Sequence, residues 1–532
     1  MRMQLMSFRS LALVATLLAG LTLSLILATG GFDIAQLQIP PDPCVVPFLS
    51  FFKLEQINLP APGNGLRIIV SNNVLSKLPS NAHVVLIVNG NGFNKDHYQD
   101  LATFLAHNGF IAVIAQRGGS SQPEVFVIEA LEATFAELGL KANTPVALVG
   151  HSVGGDVVVD AAIHNYDTAA GFNIQAVVGL APNVSIVEDQ LDDHLTGDHT
   201  PAYLLIYGSQ DEDVEGDGPT PHEAFASYDS AGTENSTTCN SPPCLQLQPP
   251  VERTMIYIHG AGHGGLIRAV GSQQGANEPI SAYLEPADQL CITKGYTNAF
   301  LRWKLRDETI HKRTVRGDYR PPSIASITTS GEDYKGNPAG SPLRLFFQVS
   351  PVKRRAIENF EDGEFDLFAV SPEVVHQVAE AGDFADSPHY VRHQTNSLIV
   401  GWPDQAQNQW IGFNVPPNAR NTTHFSHLAL RLGQFKNPDD NYANPINADQ
   451  TLQICLFDDS RASCQWSNAW GAIPPNDPQP DGVAHSVMNT ISIRLSAFQG
   501  IDRANVEAVL LFIPADAPSG TIMVDSLEWF RD

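Results

Sequence analysis

The segment that most constrains this chain is Val146-Ala147-Leu148-Val149-Gly150-His151-Ser152-Val153-Gly154-Gly155. An apolar run passes directly into Gly-x-Ser-x-Gly, and Asp156-Val157-Val158-Val159-Asp160-Ala161-Ala162 continues with residues a helix accepts. Strand, sharp turn and helix in succession hold such a serine in a strained backbone, with glycines where strand and helix crowd it. The pattern predicts that Ser152 projects above the carboxyl edge of a sheet, placed to attack an acyl carbon.

A serine hydroxyl is a poor nucleophile near neutral pH and needs a base, an orienting acid and donors for an oxyanion. Each has a candidate where another apolar run ends. Arg253-Thr254-Met255-Ile256-Tyr257-Ile258 breaks into His259-Gly260-Ala261-Gly262-His263-Gly264-Gly265. His263, on the loop beyond the strand, is the preferred base; His259, which continues the strand, is the alternative. Ala202 to Tyr207 ends in Gly208-Ser209-Gln210-Asp211-Glu212-Asp213-Val214. Asp211 is the preferred acid because Val214 can anchor the loop that aims it, with Asp213 as the alternative. The chain order Ser, Asp, His is one of the orders such triads adopt. His83 to Val88 ends in Asn89-Gly90-Asn91-Gly92-Phe93 ahead of a helical stretch from Lys95 to His107. Backbone N–H groups of Asn91 and of Val153, next after the serine, are the expected oxyanion donors; a register one residue on would substitute Gly92 for Asn91.

These motifs carry a resemblance. With Val88-Asn89-Gly90-Asn91-Gly92-Phe93, Asp100 to Val113, Gly150 to Gly155, Tyr207 to Asp211 and Gly260 to His263, the stretch Val84–Arg302 resembles the α/β-hydrolase superfamily. Within it, the stretch resembles the dienelactone hydrolase, chlorophyllase and cutinase-like polyesterase group. The resemblance implies a carboxylic ester hydrolase with a Ser152–His263–Asp211 triad and no cofactor. Asn89 departs from it, standing where many relatives carry His; the donor is a backbone group, so the change falls on the hydrogen bonding behind the loop.

Basic residues ahead of the apolar run Leu11 to Ala28 signal export. Cleavage after Gly30 is preferred to an uncleaved anchor, giving a secreted or periplasmic enzyme. Six cysteines suit an oxidising compartment. Candidate pairs are Cys239 with Cys244, Cys455 with Cys464 across a hairpin turn, and Cys44 with Cys291; many other connectivities exist. Their spacing does not read as a zinc site, so no metal is assigned, and a structural calcium on loop carboxylates of the second half stays an open alternative. A formal net charge of −26 argues against nucleic acid or anionic membrane as partners.

With 532 residues the chain exceeds what one core usually serves. A Gly-, Pro-, Ser- and Asp-rich tract runs from Arg316 through Gly340-Ser341-Pro342. Before it, expected strands at Val84–Val88, Ile111–Ala115, Val146–Val149, Ala176–Leu180, Leu204–Tyr207 and Met255–Ile258 alternate with helices, predicting a mostly parallel sheet of the α/β class. After it come short strand-like runs at Leu343–Val349, Leu428–Leu432, Leu452–Phe457, Ile491–Leu495, Val509–Ile513 and Thr521–Asp525, the pattern of an all-β sandwich. Ile357 to Glu361 and Val524 to Phe530 make it resemble the galactose-binding-like jelly rolls of secreted enzymes. The expected organisation is an N-terminal export segment (1–30), an α/β-hydrolase domain (31–312), a linker (313–340) and the jelly roll (341–532).

Trp402, Trp410, Trp466 and Trp470 either form a platform for sugar rings or a polymer surface, or pack the core. The Gly-, Pro- and Ser-rich insertion Glu215–Pro250 either overhangs the site or faces away, and Arg117 either lines the pocket or is a plain surface residue. The expected partner is a small or polymeric ester, neutral or hydrophobic. A serine peptidase or amidase with the same triad, and a binding protein with a vestigial hydrolase domain, are the rival functions.

Overall fold

The protein is described from a computed structural model. The described residues fall within 53–78, 82–118, 122–183, 201–211, 252–267, 284–327, 343–379, 396–435 and 442–532, with short breaks inside these spans, together with Tyr228. Cys44, Cys239, Cys244, Asp213, the export segment and all of Glu215–Pro250 but Tyr228 lie outside them.

The first sheet has nine strands: β1 (Leu54–Leu59), β2 (Leu66–Ser71), β3 (Val84–Val88), β4 (Ile111–Ala115), β5 (Pro145–His151), β6 (Asn173–Leu180), β7 (Ala202–Gly208), β8 (Arg253–Ile258) and β9 (Leu343–Gln348), in the order β1-β2-β4-β3-β5-β6-β7-β8-β9. The strands from β4 to β8 pair in parallel, and each is buried on both faces, which is why they read as unbroken apolar runs. The edges differ. β1 pairs β2 and β2 pairs β4 antiparallel, and β9 closes the other edge antiparallel to β8. Helices α1 (Gln99–His107) and α4 (Pro286–Arg306) pack together, as do α2 (Pro123–Leu138) and α3 (Val153–Asp167).

The sequence pattern places β9 at the opening of the second domain. Instead it crosses back to the first sheet, and its outer edge is covered: the N–H groups of Leu345 and Phe347 donate to Asn489 Oδ1 (2.9 Å) and Thr490 Oγ1 (3.2 Å). An edge strand capped in this way offers no template for pairing with another chain.

The remaining strands are β10 (Arg354–Glu358), β11 (Leu367–Val370), β12 (Val375–Ala379), β13 (Ser397–Trp402), β14 (Gln409–Asn414), β15 (His427–Gln434), β16 (Gln453–Phe457), β17 (Ala462–Trp466), β18 (Asp477–Pro478), β19 (Ala484–His485), β20 (Asn489–Arg494), β21 (Ala508–Ile513) and β22 (Gly520–Phe530). They form an antiparallel sheet β12-β13-β22-β15-β20, with β10 also on β22, an antiparallel sheet β11-β14-β21-β16-β17, and the ribbon β18-β19. Leu398, Val400, Leu428, Leu430, Ile454, Leu456 and Leu511 interdigitate between the two larger sheets. On the other face of the first of them, Ile399, Ala429, Met523 and Phe530 join the core built around the nine-stranded sheet.

The expected α/β class is therefore corrected. Strand exceeds helix, 37% against 28%, with seven α-helices among the described residues. The nine-stranded sheet is mixed, its five central pairings parallel and both of its edges antiparallel, and every other sheet among the described residues is antiparallel. The alternation of apolar runs with helices captured the central strands. It gave no sign of β1 and β2, which pair antiparallel and so call for no helix between them, nor of which sheet β9 would join.

Candidate active site

Ser152 stands between β5 and α3 with φ 55° and ψ −135°, a backbone conformation that costs roughly 1–3 kcal/mol for a residue with a Cβ. The turn is held from both sides: Ser152 N–H donates to Leu180 O at 3.0 Å, and Ser152 O accepts from Gly155 N–H at 2.6 Å. Its tightness explains the motif. A Cβ at Gly150 would lie 2.0 Å from Gly154 O, so strand and helix meet there only through glycine. One at Gly90 would lie 2.7 Å from Ser152 Cβ, which seats the loop after β3 directly against the serine.

The loops after β7 and β8 bring the acid to the base. Asp211 Oδ2 lies 2.9 Å from His263 Nδ1, and neither side chain is exposed. Each loop is fixed to its neighbour: Gly260 N–H donates to Ser209 Oγ at 2.8 Å, and Ser209 N–H to Ile258 O at 3.0 Å. From α4, Gln289 accepts from Gly262 N–H at 3.2 Å and donates to Leu284 O at 2.6 Å. His259, the alternative base, is half-buried in the turn that follows β8. It is His263 that meets Asp211.

Behind the serine, His151 is completely buried, and its ring centroid lies 4.5 Å from that of His263 and 5.0 Å from that of Phe93. His151 Nε2 lies 3.1 Å from the carbonyl oxygen of His263, and Nδ1 lies 3.0 Å from the hydroxyl of Tyr98. A carbonyl only accepts, so Nε2 carries the proton and Nδ1 accepts from Tyr98. The Tyr98 oxygen in turn accepts from Gly90 N–H at 2.9 Å. Burial, with His263 nearby, holds His151 well below the ordinary histidine range, and burial raises the Tyr98 phenol. Both are therefore neutral, as this pattern of donors requires.

The loop carrying the expected oxyanion donor is tied down by Asn89. Its Nδ2 donates to the carbonyls of Gly90 and Phe93, each at 2.8 Å, and its Oδ1 accepts from Arg117 N–H at 2.6 Å. The departure from the His of the resembling group thus joins the turns after β3 and β4. Asn91 lies exposed in this turn, and its side-chain oxygen accepts from the Arg117 guanidinium. Arg117 thereby braces the Asn91 loop. Val153 opens α3, so its N–H belongs to the first turn, which has no partner within the helix.

Tyr98 and Gln289 escaped the sequence reading. Nothing near Tyr98 in sequence marks it, because its partner His151 lies 53 residues away. Tyr228, the described residue of the long insertion, accepts from Arg253 through its carbonyl at 2.5 Å, and its ring lies 4.6 Å from the Arg253 guanidinium and 5.6 Å from that of Arg431. Arg253 begins β8, so this contact is made at the strand end opposite His263.

Cys455 and Cys464 are disulfide-bonded and directly opposed on β16 and β17. Cys291 is also disulfide-bonded. Of the four tryptophans considered, Trp402 is buried and donates to Pro518 O at 2.8 Å, and Trp470 packs against the sandwich core. Trp410 and Trp466 are exposed. The register Trp410–Phe512–Gln453–Trp466 places them in one row across β14, β21, β16 and β17. Among the described residues no group of three or more His, Cys, Asp or Glu is disposed to hold a metal, and no helix is long and apolar enough to cross a membrane.

No protein-family model and no curated protein matches the chain. The resemblance to α/β-hydrolases read from its motifs thus has no counterpart in either comparison. Among solved structures it is similar to the family 11 carbohydrate-binding module of the cellulosomal cellulase Lic26A-Cel5E of Clostridium thermocellum, with 12% identity and a TM-score of 0.23, over 34% of this chain and 95% of that one. A likeness this faint carries no argument about what the chain does.

Proposed function

We propose that the chain is an exported serine hydrolase that cleaves carboxylic esters through an acyl-enzyme on Ser152. The observation that supports this most is the buried Asp211–His263 pair, brought together by two strand-end loops, with the ring of His151, the residue before the strained serine, 4.5 Å from that of His263. His263 takes the Ser152 proton as the oxygen attacks the ester carbonyl. Asp211 accepts from His263 Nδ1–H, which leaves Nε2 to act as base and stabilises the imidazolium that forms. N–H groups of Asn91 and Val153 hold the oxyanion; His263 returns its proton to the departing alcohol and then activates the water that releases the acid.

The test is hydrolysis of p-nitrophenyl esters of graded acyl length by the protein and by Ser152→Ala. Turnover abolished in the variant supports the reading. Equal turnover in both, or none in a folded wild-type protein, overturns it.

The exposed row of Trp410 and Trp466 favours a second, compatible reading: the outer face of the β11-β14-β21-β16-β17 sheet adsorbs an insoluble polymer, polysaccharide or polyester, on its aromatic rings. Adsorption of the full chain should fall in the Trp410→Ala, Trp466→Ala double variant. Unchanged adsorption would remove that reading.

A further inference from the structure

The chain Gly90 N–H to Tyr98 O, Tyr98 O–H to His151 Nδ1, and His151 Nε2–H to His263 O links three loops that chain connectivity leaves independent. Gly90 precedes Asn91, the expected oxyanion donor. His151 precedes Ser152. His263 is the expected base. We infer that Tyr98 and His151 are positioning residues that set the oxyanion donor and the base in one mutual register, an inference that rests on the proposed hydrolase reading.

The chemistry of the chain is what gives it this role. Tyr98 accepts with its oxygen and donates with its proton in the same place, and neutral imidazole then does the same with its two nitrogens. Each group is used at both ends, so the chain runs in only one direction. The other His151 tautomer would set a bare nitrogen against the His263 carbonyl and an N–H against the tyrosine, whose hydroxyl would then lose its acceptor; a flipped ring would present carbons at both contacts. A buried polar group left so has given up its hydrogen bond to water with nothing in exchange, which disfavours either arrangement. The arrangement is further fixed by packing: the Phe93 ring lies against both His151 and His263, with centroids at 5.0 and 6.1 Å. From the other side, Gln289 holds Gly262, the residue before the base. Neither Tyr98 nor His151 is placed to meet substrate by this geometry; they act through the backbone of Gly90 and His263.

Removing the Tyr98 hydroxyl leaves Gly90 N–H without its acceptor and His151 Nδ1 without its donor. The loops stay packed but lose their common register. Misplacement on the scale of an ångström costs on the order of 10²-fold in rate. Oxyanion donors engage fully only in the transition state, so the loss should fall on kcat rather than on KM.

The experiment compares wild type, Tyr98→Phe, His151→Ala, His151→Gln and Ser152→Ala on one p-nitrophenyl ester, with thermal unfolding of each. Tyr98→Phe should lose about 10- to 100-fold in kcat with KM changed less than about threefold. Its affinity for a boronic acid, which mimics the tetrahedral intermediate, should fall in parallel. His151→Gln, whose amide N–H can still reach the His263 carbonyl, should recover part of what His151→Ala loses. Nitrogen-15 chemical shifts of wild-type His151 should report a neutral ring protonated at Nε2, and this readout stands even where a variant fails to fold. Wild-type turnover with Tyr98→Phe at full kcat, or a His151 protonated at Nδ1, overturns the inference alone. A wild type no more active than Ser152→Ala overturns the hydrolase reading, and the inference falls with it.

Discussion

The carboxylate of Asp211 meets His263 Nδ1 at 2.9 Å with both side chains closed to solvent. A carboxylate accepts and cannot donate, so it admits only the tautomer in which Nδ1 carries the proton. Asp211→Asn can present an N–H to the same nitrogen and favour the wrong tautomer. The expected outcome is a loss of about 10⁴ in kcat with little change in thermal stability, measured by steady-state ester hydrolysis. Full activity in this variant would transfer the role of the acid elsewhere.

Gly90 offers a test of the contact between the β3 loop and the serine. In Gly90→Ala the new methyl would sit 2.7 Å from Ser152 Cβ and 2.9 Å from His151 O, and neither is the loose end of a flexible side chain. The loop must shift, costing about 1–3 kcal/mol and displacing the neighbouring Asn91. Turnover should fall further than unfolding temperature explains, as paired kinetic and melting measurements would reveal.

An ionic cluster, buried at Glu252 and Arg316 and exposed at Asp532, joins the two halves of the chain. Arg316 Nη2 lies 2.5 Å from Glu252 Oε1, Lys304 Nζ lies 2.6 Å from Glu252 Oε2, and Arg316 Nη1 lies 2.6 Å from Asp532 Oδ1. The Arg316 guanidinium also lies near the rings of Trp303, Phe347 and Phe530. Arg316→Ala strips Glu252 of one of its two cations and should cost about 3–5 kcal/mol. Adding Glu252→Gln should return part of that loss in denaturant unfolding, since the uncompensated charge is then gone.

Acid should weaken the same region in two successive windows. Burial pulls His427 down from 6.5 to about 4, Arg316, Arg494 and Lys312 adding to the depression while Asp532 opposes it. The unfolded chain therefore takes up a proton near pH 6.5 that the folded chain refuses until about pH 4, and stability declines as pH falls between them. Burial alone would raise Glu252, but Lys304 and Arg316 outweigh it and hold the carboxyl at about 2, below its ordinary 4.5. Stability from Glu252 is complete above about pH 4.5 and is lost as pH falls toward 2. Unfolding free energy followed from pH 7 to 3 should drop throughout. In His427→Asn the decline between pH 6.5 and 4 should shrink; an unchanged profile would remove His427 from the account.

The central strands and the glycine-marked turns that end them are legible in the sequence, and the reason is physical. β3 to β8 are buried on both faces, so their sequences are unbroken apolar runs, and Ser152, Asp211 and His263 each follow one of them at a glycine-marked turn. β1 is half-buried and alternates with polar residues, so it carries no such run. β9 reads as a strand, but its partner in the sheet, β8, lies about 90 positions earlier, and the residues that cover its outer edge, Asn489 and Thr490, lie about 140 further on. Tyr98 is similar: nothing local to a tyrosine at a helix start announces a proton donated to His151. The tryptophans divide by strand face. Trp402, on β13, points between the two sandwich sheets, while Trp410, on β14, points outward, a distinction that depends on a register no composition records.

The place of β9 bears on how such a chain can be cut and recombined. The strand comes after the Gly- and Pro-rich tract yet completes the sheet that carries Ser152, and the sandwich supplies the side chains that seal its edge. A nuclease cut or gene fusion placed in that tract would leave β8 with a raw edge on one fragment and a stray strand on the other. The carboxyl-terminal half is thus no interchangeable appendage to be traded between enzymes. Any natural or engineered swap has to fall beyond β9 and carry a new cover for it, so the two halves are expected to have been inherited as a unit.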